Sequence, residues 1–266
     1  MSPEPGMAAL DGDVMIEHSL ALREAGWTLL PSIVPAERVA RLVQALDEVY
    51  AQQRPIQIRN GVGEGTDGTV HHLPCAGDVF LDFLAEGHGQ VLLDRHFEGP
   101  YILNTFGGLL NLPTDASYVG RVHRDQRTFS GQVRLMAQLL VMLDEFTEEN
   151  GATFLLDGSH RLAEKPSDDL FFGSAARAIG PPGSIVVFDS NLWHAAGVNG
   201  TDRPRRALTL AFTRPFVKQQ LDYPRALGYE RGDSFSPVLR QLLGYNAVVS
   251  AAGPSDVPAR SGITSG

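Results

Sequence analysis

In the stretch Tyr118-Val119-Gly120-Arg121-Val122-His123-Arg124-Asp125-Gln126, an imidazole and a carboxylate stand two residues apart. Aromatic and β-branched residues lead into it and the turn-prone residues 128–131 follow, a pattern that predicts the end of a β-strand. Side chains at i and i+2 of a strand share a face, with about 7 Å between their Cα atoms, so His123 and Asp125 should project together while Arg124 points away. A metal ion fits between such groups. With a second imidazole from elsewhere in the chain they would form a three-point face and leave the remaining positions of an octahedral metal open, an arrangement suited to non-haem Fe(II) oxygenases. Taken alone, a His-x-Asp pair is more often a chance pair on a polar loop, so the rest of the chain has to decide.

The elements that position this pair can be read from periodicity. Residues 15–25 have helical spacing and stop at Gly26, and 27–30 reads as a short strand. Pro35 opens a long amphipathic helix with Val39, Leu42, Val43, Leu46, Val49 and Tyr50 on its apolar face, proline costing no hydrogen bond in a first turn. Residues 54–74 are glycine-rich and aperiodic and carry His71-His72, which fits a functional loop or a plain surface segment. Residues 77–98 return to a helical pattern, and 101–104 and 109–112 read as strands.

Downstream of the His-x-Asp pair, residues 133–143 are almost continuously apolar, as in a strand covered on both faces. Gln138 interrupts the run and must either bond neighbouring backbone or face a polar cavity. Asn150-Gly151 marks a turn before a short strand at 152–156 and Gly158-Ser159-His160. After an irregular excursion at 161–180, Pro181-Pro182-Gly183 turns into a strand at 184–188 that leads to Trp193-His194. In residues 205–213 the alternation is strict: Arg206, Leu208, Leu210 and Phe212 share one face, and Arg205, Ala207, Thr209, Ala211 and Thr213 share the other. The large apolar set should pack against helices, which leaves Arg205 pointing into a pocket. A last helix is expected at about 237–243.

Many short strands separated by glycine and proline turns, with helices gathered toward the N-terminal side, indicate a mainly β protein: a double-stranded β-helix, or jelly roll, of cupin-like form. The expected organisation is one domain over residues 1–249 with a Ser/Gly/Pro/Ala-rich, disordered tail at 250–266. No internal repeat is evident. No apolar run is long enough for a membrane span and residues 1–13 lack the features of a secretory signal, so a cytoplasmic protein without a membrane partner is expected. Cys75 is the only cysteine, which excludes an internal disulfide and any thiolate cage for a metal. A formal net charge of −9 argues against nucleic acid as partner. Lys165 and Lys218 are the only lysines; the arginine bias carries no functional reading.

Taken in order, His123-x-Asp125, then Glu149-Asn150-Gly151-Ala152-Thr153 with Gly158-Ser159-His160, then His194 with Gly197, Asn199 and Arg205, and finally Leu242-Leu243-Gly244-Tyr245 resemble the phytanoyl-CoA dioxygenase (PhyH) family of Fe(II)/2-oxoglutarate-dependent oxygenases. The resemblance runs from about residue 25 to 249, and the eleven residues from His194 to Arg205 match the family's spacing. It implies that His123, Asp125 and His194 hold iron and that Arg205 pairs with the distal carboxylate of 2-oxoglutarate. A planar guanidinium gives two parallel charge-assisted bonds to such a group. His160, the competing imidazole, belongs in the family to a structural turn. Two positions depart from the pattern: Ala196 stands where a hydroxyl residue often helps bind the co-substrate, and Asp157 where proline usually precedes Gly-Ser-His. Co-substrate binding would then draw on other groups, with Gln138, Asn111 and Thr209 as candidates.

The implied activity is oxidative: O2 is consumed, 2-oxoglutarate gives succinate and CO2, and a C–H bond of a small-molecule substrate is oxidised. Hydroxylation or oxidative cyclisation of a small polar, sugar-containing or other natural-product intermediate is expected, because residues 54–74 and 161–180 and the segment after Arg214 should build the mouth and carry Arg59, His71, His72, Arg177 and Arg225. A non-redox cupin-like isomerase and a non-catalytic small-molecule binding protein are the alternatives.

Overall fold

The apolar-faced segment after Pro35 forms helix α2 (Ala36–Arg59), with Val39, Leu42, Leu46 and Val49 buried. Burying each such side chain contributes roughly 1.5 to 3 kcal/mol, enough to fix the helix against the sheet beneath it. The helix outruns its expected end at residue 53. Pro55 removes one backbone donor from its interior, yet the last turn holds because Gln57 is buried and donates to the Thr69 carbonyl at 2.9 Å. The computed structural model describes residues 12–113 and 120–247, so Tyr118, Val119 and the tail expected from residue 250 lie outside the described residues.

Before α2, helix α1 (Gly12–Glu24) leads through Gly26 (φ +86°) into strand β1 (Trp27–Leu30). Strand β2 (Thr69–Val70) follows α2. The single helical pattern at 77–98 is two helices, α3 (Asp78–Ala85) and α4 (Gln90–Phe97), broken where Gly87 and Gly89 take positive φ. The two strands expected at 101–104 and 109–112 are one, β3 (Ile102–Asn111), with a bulge between Leu103 and Thr105. The paired glycines 107 and 108 hide its continuity from propensity.

With β4 (Met136–Met142), β7 (Ile185–Asp189) and β9 (Arg205–Thr213), these strands form an antiparallel six-stranded sheet in the order β1-β7-β4-β9-β3-β2. A smaller sheet of β5 (Phe154–Leu155), β6 (Ala176–Arg177) and β8 (His194–Ala195) has the order β6-β5-β8. Helix α5 (Asp168–Ser174) and β6 occupy the excursion at 161–180 that looked irregular; Ser167 caps α5 by accepting from the Leu170 N–H. Helices α6 (Tyr223–Leu227) and α7 (Pro237–Leu243) close the chain, with Ser236 capping α7 and Gly244 ending it in the left-handed region. Among the described residues no helix is long and apolar enough to cross a membrane.

The large sheet has two different faces. Its outer face, including Leu139, Val187, Leu208, Leu210 and Phe212, packs into one cluster with α2, α3, α4 and α7. Its inner face, including Leu140, Met142, Val186, Phe188 and Ala207, meets Phe146, Ala152 and Leu155 at the small-sheet side. The register of β9 is the one its alternation predicts. This is a jelly roll with an open interior at one end.

The His-x-Asp stretch is not a strand end. His123 makes one antiparallel bridge with His194, through bonds of 3.0 and 2.8 Å, and the chain then bends away because the Gln126 N–H goes to the Ser190 carbonyl. The bridge still adds His123 to the small sheet beside β8.

Candidate metal centre and co-substrate pocket

The single bridge between His123 and His194 brings their rings to 4.3 Å between centroids, tilted by 50°. Asp125 completes the group. Its Oδ1 lies 3.6 Å from His123 Nε2 and its Oδ2 3.7 Å from His194 Nε2, and one ligand atom from each residue lies within 4.8 Å of the others. Both imidazoles are oriented the same way: Nδ1 of His123 faces the Arg121 carbonyl at 2.7 Å and Nδ1 of His194 the Leu192 carbonyl at 2.9 Å. A carbonyl only accepts, so each ring carries its proton on Nδ1 and presents the Nε2 lone pair to the cluster.

The electrostatics favour a cation. Dehydration pushes the Asp125 carboxyl up, but the flanking His194 and His123 outweigh it and hold it below its usual value. Burial pulls His194 down, toward the neutral ligand form. Burial also opposes a charged His123, but the neighbouring Asp125 carboxylate and the Arg121 carbonyl raise it.

Local sequence explains why His194 arrives where it does. The Ser159 hydroxyl accepts from the Trp193 N–H at 3.0 Å, and the Leu156 N–H donates to the Trp193 carbonyl. Beyond β8, Gly197 donates to the Gly151 carbonyl at 3.2 Å; a Cβ on Gly151 would stand 2.3 Å from the Gly197 oxygen, so only glycine permits this approach. Asn111 fastens the same junction, its amide donating to the carbonyls of Asn150 and Gly197. The Asn-Gly and Gly-Ser motifs thus grip the strand that carries His194 from both ends.

The cluster opens into a cavity of about 410 Å3. Gln138, Thr209 and Ala196 line it, and neither the Gln138 amide nor the Thr209 hydroxyl bonds to another described residue, so Gln138 faces a polar cavity. Arg205 is 1% exposed, and its Nε and both terminal nitrogens have no hydrogen-bond partner among the described residues. Its guanidinium lies 3.8 Å from the Phe146 ring centroid. Burial pulls its pKa down to about 9, against the charge of Asp144, which leaves it protonated at neutral pH. A buried cation with three idle donors is a costly feature unless an anion completes it. The residues therefore fit both groups: two imidazoles and a carboxylate for iron, and a buried guanidinium for a carboxylate.

The sequence pattern of the phytanoyl-CoA dioxygenase (PhyH) family matches residues 22–207. The chain belongs to this family. An uncharacterized protein of Mycobacterium tuberculosis is 37% identical over 242 residues, covering 86% of this chain and 87% of that protein. Dioxygenase trt7 of Aspergillus terreus is 28% identical, covering 86% of this chain and 83% of the relative. Among solved structures, the non-haem α-ketoglutarate-dependent epimerase SnoN from nogalamycin biosynthesis aligns with a TM-score of 0.62 at 19% identity, covering 77% of this chain and 85% of that one. SnoN has also been crystallised with Fe3+ and α-ketoglutarate. The protein is a PhyH-family Fe(II)/2-oxoglutarate-dependent oxygenase.

Within this PhyH oxygenase the expected positions fare differently. His160 faces a separate cavity beside Asp189, with its Nδ1 against Gly26. Asp157, in the place of the family's proline, accepts from the Trp27 indole N–H at 2.6 Å and so secures β1. Of the five residues expected at the mouth only His71 lines the cavity, and Arg59, His72, Arg177 and Arg225 do not. Arg177 lies over the Phe154 ring and donates to the Glu148 carbonyl. Thr153, Gly107 and Arg127 line the cavity and were not anticipated. Gly107 had a readable signal: glycine inside a strand marks a close approach, and a Cβ there would stand 2.7 Å from the Val70 carbonyl oxygen.

Proposed function

We propose that His123, Asp125 and His194 hold the iron, that Arg205 clamps the distal carboxylate of 2-oxoglutarate, and that the enzyme hydroxylates or oxidatively cyclises a small polar natural-product intermediate. The observation that carries this reading is Arg205, a fully buried guanidinium without a partner on the inner face of the same sheet that lines the cavity. When bound, iron and 2-oxoglutarate supply oxidation of a substrate C–H bond by dioxygen, with succinate and CO2 released.

The chain's own residues do the positioning. The Arg121 and Leu192 carbonyls hold the two imidazoles with Nε2 free, and Asp125 supplies the charge. Leu140, Phe188 and Ala211 give the cavity an apolar wall, while Gln138 and Thr209 offer unspent hydrogen-bonding groups for co-substrate oxygens. Because Asp125 fills the carboxylate position, no site is left for a halide, and oxygenation rather than halogenation follows. A natural-product substrate draws support from SnoN, which acts in nogalamycin biosynthesis. The polar lining, with Asn104, Thr105 and His71, suits a hydroxyl-bearing molecule better than a lipid.

An aerobic assay for succinate from 2-oxoglutarate with added Fe(II) checks the reaction. Succinate release that needs both Fe(II) and 2-oxoglutarate and disappears in Arg205→Ala is expected. Turnover of a substrate by metal alone, without 2-oxoglutarate, would instead favour an isomerase.

A further inference from the structure

The charges around the cavity do not cancel. In a site holding iron(II) and 2-oxoglutarate, the dication and Arg205 together neutralise Asp125 and the co-substrate dianion. Two further cations, Arg124 and Arg127, line the same cavity, although the chain as a whole carries a formal net charge of −9. Arg124 is occupied: it donates to the Ala163 carbonyl at 3.0 Å and lies over the rings of Trp193 and Phe129, at 5.1 and 5.4 Å. Arg127 is not. It is exposed and makes no hydrogen bond or ion pair with the described residues through its guanidinium.

Its backbone is nonetheless anchored. The intervening Gln126 is buried, with its N–H on the Ser190 carbonyl at 3.0 Å and its side chain on the Thr128 carbonyl at 2.7 Å. A long flexible cation thus grows from a fixed base two residues beyond a metal-ligand carboxylate, beside a cavity also lined by Leu109 and Met136. We infer that Arg127 reads an anionic group, a phosphate or a carboxylate, on an otherwise partly apolar substrate and so holds the reacting molecule beside Asp125. This rests on the iron and 2-oxoglutarate reading and narrows its substrate class to organic anions. Arginine suits the task because its planar fork matches either anion with two parallel bonds.

Oxygen-free calorimetric titration of the full chain with Fe(II) and 2-oxoglutarate, using phenyl phosphate, phenylacetate and benzyl alcohol as probes, tests it. One or both anionic probes should bind about tenfold or more tighter than the alcohol, about 1.4 kcal/mol, and the better of the two identifies the anion. Arg127→Gln should reduce that preference to less than about twofold, Arg127→Lys should retain most of it, and Arg225→Gln, which alters net charge away from the cavity, should leave it intact. Equal binding of the alcohol, no saturable binding of either anion, or a preference that survives Arg127→Gln overturns the inference. So does its loss in Arg225→Gln, which would make it a bulk-charge effect. The 2-oxoglutarate isotherm, recorded first in the same cell, separates the two readings. Without that binding both fall, whereas normal co-substrate binding with indifferent probes removes only the role of Arg127.

Discussion

The two faces of the large sheet solve opposite problems. On the outer face of β9, Arg206 is fully partnered: it binds Asp47 through two bonds of 2.7 and 3.0 Å and Asp144 at 3.2 Å, and its apolar neighbours are buried under helices. On the inner face the adjacent Arg205 is more deeply buried and has no hydrogen-bond partner among the described residues. Two identical side chains one residue apart thus differ only in the face they occupy. The outer-face arginine is satisfied as folded, whereas the inner-face one is left free for the proposed ligand. Function therefore lies where satisfaction is withheld, a conflict that native proteins tolerate at sites and offset elsewhere.

The strongest way to break that contrast is to remove the side chains proposed to hold the metal beside the inner face. His123→Ala, Asp125→Ala or His194→Ala should each bring succinate release to background and weaken Fe(II) binding while the fold persists, since the cluster lies beside the cavity and outside the large outer core. Activity surviving in His194→Ala but lost in His160→Ala would mean that the wrong imidazole has been assigned.

Next in size is Arg205. Removing one partner of a buried charge pair costs about 3 to 5 kcal/mol, so Arg205→Ala should weaken 2-oxoglutarate binding by roughly two to three and a half orders of magnitude. The ligand-free protein should respond in the opposite sense. Because Arg205 is there an unpaired buried cation, Arg205→Met should raise its unfolding free energy, by about 1 to 4 kcal/mol if it behaves as other buried ionic groups replaced by apolar ones. Denaturant melts with and without 2-oxoglutarate measure both. A destabilised ligand-free Arg205→Met protein would show that the guanidinium has a structural partner after all.

Much of this contrast is legible in the sequence. The alternation of residues 205–213 places every β9 side chain on its correct face, and the apolar run around Gln138 marks a strand covered on both sides. Positions that depend on tertiary hydrogen bonds are not legible. His123 lacks a strand, and its placement comes from one backbone bridge to a residue 71 positions away, which no local propensity encodes. The continuity of β3 is masked by Gly107 and Gly108, which are present for close approach, not for strand preference. The end of α2 is hidden because apolar periodicity fails from residue 54 on, whereas the last turn is held by Gln57 reaching the Thr69 carbonyl. Arg177 looked like part of the mouth because polar residues in aperiodic segments read as functional, whereas an aromatic ring and a backbone carbonyl hold it elsewhere.

The outer side also holds an unsatisfied pair, which sharpens the comparison. His96 and Asp189 are both buried, their Nε2 and Oδ2 atoms stand 3.9 Å apart, and that imidazole nitrogen has no hydrogen-bond partner among the described residues. Burial pushes the Asp189 carboxyl up to about 6, against the Asn191 hydrogen bonds and Arg134, and pulls His96 down to about 3. The unfolded chain releases the Asp189 proton near its ordinary value of 3.8 while the folded chain keeps it to about 6. Between those values the folded state binds more protons, so stability falls as pH rises and the penalty is complete above the folded value. Asp189→Asn removes the charge and keeps an acceptor for the Asn191 N–H. It should stabilise the protein by about 2 to 3 kcal/mol at pH 7, at 1.36 kcal/mol per unit, and by almost nothing at pH 4. Equal gains at both pH values, or a loss at pH 7, would mean that the carboxylate is satisfied in a way its hydrogen bonds do not reveal.

The smallest effect is expected from Arg206, and its size is what makes it informative. Its side chain is 21% exposed and its partners Asp47 and Asp144 are 41% and 33% exposed, so solvent screens much of the attraction. Surface pairs of this kind contribute about 0 to 1 kcal/mol, and the two-toothed geometry on Asp47 places this one toward the upper end. Arg206→Ala leaves the backbone bond from residue 206 to Asp144 intact, because that bond uses only the main-chain N–H. Loss of about 1 kcal/mol of stability, shrinking further in high salt, with an unchanged 2-oxoglutarate affinity, is therefore expected. Since Arg205→Ala and Arg206→Ala delete the same charge from adjacent residues, long-range field effects largely cancel between them and the difference reports the face alone. A raised 2-oxoglutarate requirement in Arg206→Ala beside a normal one in Arg205→Ala would place the co-substrate on the helix-covered side and invert the assignment of the two faces.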